Sequence, residues 1–443
     1  MKFIKAELFD KTQYVFTKYY DRVIHYYSKI NGKVSYDKLN EAIYLVTKEI
    51  EILHSSFIPG LITPFWIRRK IKYKKLIDYI ETNDSNNIID RFLTSKINCL
   101  SRHQFRCLLV KESNNSYYFL MIVNHMCVDG QDFKYLIKKI IETYNYLVDN
   151  ESKEINIKKG SRSIKQVFES LPPSLKDSCS KYHNVSIVKK ERKLNYFSIF
   201  GKKTSLILRK SISSDDFALL KEKAKKYNVT INDIYLSAYF ISLYSFTKNS
   251  DDKQINITSM VDLRRYLSNK DSLGLTNLIT YMPIQIYVNR NESFISVLKK
   301  VSKITKEKKG STFFGLESLS LLSLAYKVFP FPLSKVAIKI GYSNPRFSLS
   351  NIGLLDQKEF SFIHTKTVDA YITGAIKKLP YQQISTTTFN NIPSFCMANK
   401  CNKENHEFIE DILDKFITIL INFAREWKLN FTEDVILRTS VLF

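Results

Sequence analysis

A histidine followed closely by an aspartate and a glycine stands out as a pattern that can do chemistry. In "IVNHMCVDGQDF" (Ile122–Phe133) an apolar run ends at His125, and Asp129 and Gly130 follow. A neutral imidazole can act as a general base near pH 7, and a carboxylate at i+4 can orient the ring or its loop. Because glycine adopts backbone conformations that other residues resist, Gly130 predicts a tight turn after the strand.

A structural interpretation competes with this catalytic one. Asp129 can be simply the N-cap of a helix that begins near Gln131. His125 can be simply a hydrogen-bonded polar residue at a strand end. On spacing alone, the structural interpretation is favoured.

Other chemistries have weaker signals. Cys127 could be a nucleophile activated by His125. A metal site made of His125, Cys127 and Asp129 lacks a second group of ligands elsewhere in the chain. The chain has only 11 glycines and contains no GxSxG, P-loop or GxGxxG pattern, so the usual phosphate-binding loops are excluded. The basic stretch "RRKIKYKK" (Arg68–Lys75) fits a nucleic-acid footprint, but a solvated face is the commoner explanation.

Composition limits the class of protein. With 443 residues, of which 44% are hydrophobic, the chain can form two or three globular domains. Six cysteines without a CxxC pair indicate a reduced, cytoplasmic protein, and neither a signal peptide nor a membrane-spanning run is recognised. The net charge of +25 suggests an anionic partner, although a general bias towards Lys, Asn and Ile explains it more simply.

Strand and helix patterns are mixed along the chain, so an α/β or α+β fold is predicted. The polar, proline-containing stretch from about 150 to 195 places a boundary near residue 190, between lobes 1–190 and 191–443. Thr230 and Asp233 form a capping-box pattern, and an Asn-Asn turn is predicted within 381–397. The other predicted helices are 37–53, 133–148, 215–228 and 405–427, and the predicted strands are 116–126, 204–212 and 255–267.

The segment Asn124–Gly130 resembles the HHxxxDG motif of the condensation domains of nonribosomal peptide synthetases. Relatives of these domains include chloramphenicol acetyltransferase and stand-alone alcohol acyltransferases. Further resembling segments occur in the family's order, and together they span nearly the whole chain: "KLNEAIYLVTKEIEILHSSF", "NVTINDIYLSAYFISLY", "ITSMVDLRRYL", "GLTNLITYMPI" and "LSNIG". This ordered set reverses the balance in favour of a catalytic His125.

The resemblance implies a fold of two chloramphenicol-acetyltransferase-like lobes in a V-shaped pseudo-dimer with a central tunnel. It also implies a monomer, since one chain supplies both lobes. His125 would be the general base in direct acyl transfer from a thioester. Asp129 would orient the loop, and Gly130 would leave room for the donor arm.

Binding positions follow from the same resemblance. Asn124 stands in place of the motif's first histidine, Asn277 matches an asparagine of the family, and Ser350 and Asn351 fall in "LSNIG", which resembles a late strand of the family. All four are predicted to bind substrate.

One departure from the family concerns the partner of Asp129. His54 stands where condensation domains carry an arginine that pairs with the motif aspartate. Asp129 is therefore expected to pair with Arg264, or failing that with His54, and both are predicted structural residues.

The function implied by the resemblance is acyl transfer in natural product biosynthesis, to a small-molecule alcohol or amine. The donor would be acyl-CoA or an acyl or peptidyl carrier protein, both bearing a phosphopantetheine arm, with no permanently bound cofactor. No nucleic-acid partner is expected, and contact with a membrane surface is compatible with the charge. The alternative is a non-catalytic module that binds a carrier protein or another acidic partner.

Overall fold

A computed structural model describes residues 2–71, 75–150, 154–176, 194, 196, 201–247, 254–289, 291–317, 319–341 and 344–425. Its helices are α1 (Leu8–Val15), α2 (Tyr36–Thr47), α3 (Ser85–Leu93), α4 (Gly130–Val148), α5 (Lys165–Glu169), α6 (Ser214–Lys226), α7 (Ile231–Ser245), α8 (Phe294–Lys309), α9 (Leu319–Val328), α10 (Phe331–Gly341) and α11 (Lys403–Ala424). Its strands are β1 (Phe3–Lys5), β2 (Val23–Asn31), β3 (Ser55–Ile58), β4 (Phe65–Arg68), β5 (Ile77–Glu81), β6 (Phe105–Ser113), β7 (Ser116–Asn124), β8 (Thr204–Ser211), β9 (Ile255–Asp262), β10 (Ile279–Ile286), β11 (Phe347–Leu355), β12 (Lys366–Thr373), β13 (Lys377–Lys378), β14 (Gln382–Phe389) and β15 (Ile392–Cys401). Short 3-10 helices lie at Phe16–Lys18, Glu51–His54 and Leu263–Tyr266.

The strand that leads to His125 lies at the centre of a five-stranded sheet with the order β12-β2-β7-β6-β5. Side chains alternate between the two faces of a strand. Phe119 and Met121 pack in a core with α2 and α4, whereas Leu120 and Ile122 pack on the other face against α3. Because both faces are covered, β7 is a continuous apolar run, and the turn that carries His125 begins where this buried strand ends.

A second sheet, of seven strands, has the order β10-β9-β11-β14-β15-β13, with β8 paired to β15. Helices α6, α7, α8 and α11 pack against it in a separate hydrophobic core. The predicted capping box at the start of α7 is confirmed, since Thr230 and Asp233 each accept from the other's backbone N–H.

One strand of the first sheet comes from the second half of the chain. Strand β12, which comes late in the sequence, pairs antiparallel with β2 at the edge of the first sheet. The second half of the chain therefore completes the first lobe. The predicted boundary near residue 190 lies outside the described residues.

Most predicted elements are present, with corrected ends. The helix predicted over 37–53 ends at Thr47, but Ile50, Ile52 and Leu53 enter the same core, so the apolar spacing continues beyond the helix. The strands predicted to run to 126 and 267 end at 124 and 262. The Asn-Asn turn is confirmed between β14 and β15, and both residues have positive φ (50° and 59°), as a type I′ hairpin turn requires.

Candidate active site

The turn that follows β7 is built around Asn124. Its side-chain amide donates to Gln104 Oε1 at 2.7 Å, and its Oδ1 accepts from the N–H of Met126 at 3.1 Å. The side chain is buried in these contacts and does not line the cavity described below. Asn124 therefore shapes the turn that presents His125.

The ring of His125 is held in one tautomer. Its Nδ1 lies 2.9 Å from the Val128 carbonyl oxygen, and because a carbonyl only accepts, Nδ1 carries the proton. The Asn277 amide nitrogen, 3.3 Å from the same Nδ1, instead donates to the His125 carbonyl at 3.2 Å. Burial lowers the pKa of His125, so at pH 7 the ring is neutral and Nε2 has a free lone pair.

Asp129 is both a helix cap and an ion-pair partner. Oδ1 accepts from the N–H groups of Gln131 and Asp132, each at 3.0 Å, and so caps α4. Oδ2 accepts from Arg264 Nη1 at 2.8 Å and from the Leu278 N–H at 2.9 Å. Burial raises the pKa of Asp129, but the charge and hydrogen bond of Arg264 outweigh it, and the net shift is downward. The predicted pairing with Arg264 is confirmed.

The guanidinium of Arg264 contacts two further carboxylates besides that of Asp129. Nη2 lies 2.9 Å from Asp132 Oδ2, a charge contact without hydrogen-bond alignment, and Nη1 lies 3.1 Å from Asp262 Oδ1. Burial and the neighbouring Asp129 raise the pKa of Asp132 to about 6. The cluster fastens β9 and the 3-10 turn of the second lobe onto the start of α4 in the first.

His54 is not the partner of Asp129. Its Nδ1 lies 2.8 Å from Nδ1 of His103, and burial, together with the charge of His103, lowers the pKa of His54 to about 3. The second-choice pairing is therefore wrong, because Arg264 already occupies the carboxylate.

Gly130 also differs from expectation. The predicted turn after the strand is present at 125–127, but Gly130 lies beyond it as the first residue of α4 and does not have a positive φ, so the turn does not need its conformational freedom. A Cβ at this position would lie 3.4 Å from Ile352 Cγ1, an ordinary contact. The structure gives no conformational reason for glycine here.

His125 and Asn277 lie in the wall of a cavity of about 390 Å³, within the size range of ligand sites. Helix α1, strands β9, β10, β11 and β14, and the α9–α10 helical hairpin form its other walls. Ser350 and Asn351 are not among the lining residues, although Ser348 on the same strand is. The Asn351 amide instead donates to Asn232 at 2.9 Å, so binding roles for Ser350 and Asn351 stay predictions.

Arg162 is a positioning residue that sequence analysis missed. Its guanidinium forms a two-pronged ion pair with Asp10 at 2.8 and 3.0 Å. Arg162 Nη2, one of the two nitrogens that pair with Asp10, also donates to the carbonyls of Met126 and Cys127 at 3.1 and 3.3 Å. Arg162 therefore ties helix α1 to the turn that carries His125. It lies in the polar stretch assigned to the lobe boundary, where no spacing indicates such a role.

The rival chemistries find less support in this geometry. Cys127 is fully buried, burial raises its pKa, and it does not line the cavity. In the described part of the chain, no group of three or more His, Cys, Asp or Glu residues is arranged to hold a metal ion. None of the helices in the described ranges has the length and apolar composition needed to cross a membrane.

Comparisons with solved structures agree with this architecture. The chain is similar to the trichothecene 15-O-acetyltransferase TRI3 from Fusarium sporotrichioides, with a TM-score of 0.72 and 12% identity over 95% of both chains. It is similar to the first condensation domain of the CDA synthetase, with a TM-score of 0.70 and 11% identity over 98% of this chain and 99% of that one. It is also similar to the epimerization domain from the third module of tyrocidine synthetase B, with a TM-score of 0.68 and 12% identity over 96% and 97%.

The chain therefore has the fold of condensation domains and chloramphenicol-acetyltransferase-like acyltransferases, as predicted. No family model matches its sequence, and no curated protein matches it either. Because one of the similar structures is an epimerization domain, this fold serves more than one reaction, and the reaction has to be argued from the site.

Proposed function

We propose that the protein is an acyltransferase in which His125 is the general base. Nε2 takes the proton from an acceptor hydroxyl or amine as that group attacks the carbonyl of a thioester. A C–O or C–N bond forms, the C–S bond breaks, and the imidazolium returns the proton to the departing thiolate. The observation that carries the proposal is the Nδ1–H bond from His125 to Val128, which leaves Nε2 unprotonated in a cavity wall.

The surroundings of His125 support a base rather than a merely buried polar residue. Its lowered pKa keeps the ring neutral at pH 7, and Arg264 and Arg162 hold its turn from two other segments. The missing arginine at His54 was the reason to consider a non-catalytic carrier-binding module. Arg264 supplies the cation in its place, which favours catalysis.

We assign the donor to the acyl thioesters of coenzyme A or of a carrier protein. Both donors are anionic, and the net charge of +25 would attract either of them. The acceptor is a small alcohol or amine that fits the largely apolar cavity.

A membrane surface with anionic lipids is a further proposed partner. Helices α9 and α10 line the cavity with one face, and their outer face exposes large apolar side chains. The loop that contains Ile62 lies beside them, since the Phe331 N–H donates to the Ile62 carbonyl oxygen. The exposed members are Leu61, Ile62, Leu324, Val328, Phe329, Leu333 and Val336. Residues 319–341 contain three lysines and no acidic residue. An exposed apolar patch beside lysines suits an anionic bilayer.

The test is the mass of product formed from a panel of acyl-CoA and acyl-carrier donors with alcohols and amines. Direct transfer requires both substrates bound together, so initial rates should follow sequential kinetics. Intact-protein mass spectrometry with donor alone should show no acylated protein. A stable adduct on Cys127 would establish a nucleophilic mechanism instead, and no product with any donor would favour the non-catalytic module.

A further inference from the structure

The wall of the cavity carries one cationic side chain and no compensating anion. Lys377 is the only lysine or arginine among the described residues that line it, and no aspartate or glutamate lines it. Most of the remaining wall is apolar or aromatic. A lone ammonium in such surroundings is costly to desolvate, so its position calls for an explanation.

The protein itself pairs Lys377 incompletely. Its Nζ lies 4.1 Å from the centre of the Tyr20 ring, but the described residues place no carboxylate oxygen within 4 Å of it. The nearby Asp21 uses its Oδ1 to accept from the N–H groups of Val23 and Ile376 at 3.2 and 3.0 Å. Burial accordingly lowers the pKa of Lys377 to about 8, although the charge of Asp21 opposes the shift.

Gln382 is a second, independent polar side chain of this cavity without a partner among the described residues. Its side chain is 1% exposed and lines the same cavity. Neither its Oε1 nor its Nε2 has a hydrogen-bond partner among the described residues. Buried polar atoms are nearly always bonded, and leaving one unbonded destabilises the fold. Gln382 begins β14, which follows along the chain directly after the short strand β13 that carries Lys377, and both strands pair with β15.

We infer that Lys377 and Gln382 form a subsite for a carboxylate on the substrate that reacts at His125. One carboxylate oxygen pairs with the Lys377 ammonium, and the other accepts from the Gln382 amide when that side chain, whose amide atoms are buried, turns toward the cavity. The apolar walls then hold the rest of the molecule. This inference rests on the proposed function only for its connection to His125, because the subsite can be tested by binding alone. The carboxylate can belong to the acceptor or to the acyl group of the donor.

The first experiment measures binding of 4-phenylbutyrate and its neutral isostere 4-phenylbutyramide by calorimetry. The wild type should prefer the carboxylate by ~10-fold or more, since a charge-assisted contact is involved. Lys377→Met should abolish the preference, Lys377→Arg should keep it, and Gln382→Leu should reduce it. Lys378→Met is the matched control, because Lys378 is the adjacent, exposed lysine.

The second experiment distinguishes the two sources of the carboxylate. Transfer rates are compared for 3-phenyllactate against 3-phenyllactamide as acceptors, and for glutaryl-CoA against pentanoyl-CoA as donors. The pair whose preference disappears in Lys377→Met identifies the source.

The outcomes separate this inference from the proposed function. If the wild type binds both phenylbutyryl probes equally or not at all, or if the preference survives in Lys377→Met, the subsite is refuted even when acyl transfer is found. If binding discriminates but no acyl transfer is found with any donor, the subsite stands and the proposed function fails.

Discussion

Replacing Arg264 by Gln should destabilise the protein by about 3–5 kcal/mol, the usual effect of removing one partner from a buried ion pair. Arg264 is 4% exposed, and its partners Asp129 and Asp132 are 0% and 1% exposed. Gln cannot reach both carboxylates, which lie 2.8 and 2.9 Å from the guanidinium. Asp129 would keep three backbone N–H donors. We therefore expect the loss of folding free energy to stay within about 3–5 kcal/mol rather than exceed it.

The measurement is guanidinium unfolding at pH 8 and at pH 5.5, with Arg265→Gln as control. Arg265 is the neighbouring arginine but is exposed, so its loss should change the free energy of unfolding by less than about 1 kcal/mol. Without Arg264 the pKa values of both carboxyl groups rise. A raised pKa in the folded state makes a carboxylate destabilising above that pKa, and protonation removes the cost as pH falls.

The destabilisation by Arg264→Gln should therefore be larger at pH 8 than at pH 5.5. Adding Asp132→Asn should recover part of the loss at pH 8, because one uncompensated charge is removed. A loss equal to that of Arg265→Gln, or a loss independent of pH, would refute the idea that the cluster joins the lobes.

Three other predictions concern Arg162, His25 and the exposed apolar patch. Arg162→Met should lower kcat, because it frees the turn before Asp129, and should also lower the free energy of unfolding, because it leaves the buried Asp10 carboxylate without its cation; unchanged kcat in the folded variant would exclude a positioning role for Arg162. His25 lies in β2, is fully buried, and its Nδ1 lies 3.1 Å from the Gly374 carbonyl oxygen. Burial lowers the pKa of His25 to about 4, so its contribution to stability is complete above its unfolded pKa of ~6.5 and is lost as pH falls; relative to His25→Asn, the wild type should lose ~2 kcal/mol between pH 6.5 and 5, and parallel stability curves would contradict this. Leu333→Asp should reduce sedimentation of the protein with vesicles that contain anionic phosphatidylglycerol, whereas the same change at Leu100, another exposed leucine, should not. Equal sedimentation of both variants, or light scattering that shows self-association through the patch instead, would exclude membrane contact.

The sequence predicted the contacts that a short motif and the fold together imply. The pairing of Asp129 with Arg264 could be predicted because both residues lie in segments that resemble the family, although 135 positions separate them. The roles of Arg162 and Lys377 could not be predicted from the sequence. Their partners in space, Asp10 and Tyr20, are remote in sequence, and no spacing or periodicity marks such contacts.

Two predictions failed for identifiable reasons. Gly130 was expected to permit the tight turn after the strand, but a glycine in a motif does not reveal its own φ, and here it lies beyond that turn, where the helix begins. His54 was considered because it replaces an arginine, yet a buried imidazole with a strongly lowered pKa cannot supply a cation at pH 7.

The most direct test of the central claim is the turnover of His125→Ala once a substrate pair is known. A general base contributes ~10²–10⁴-fold, so kcat should fall by that factor while thermal stability changes little and Cys127→Ala stays close to wild type. Full acyl transfer by His125→Ala would contradict the assignment of His125 as the base, and an unfolded variant would show that the histidine serves the fold instead.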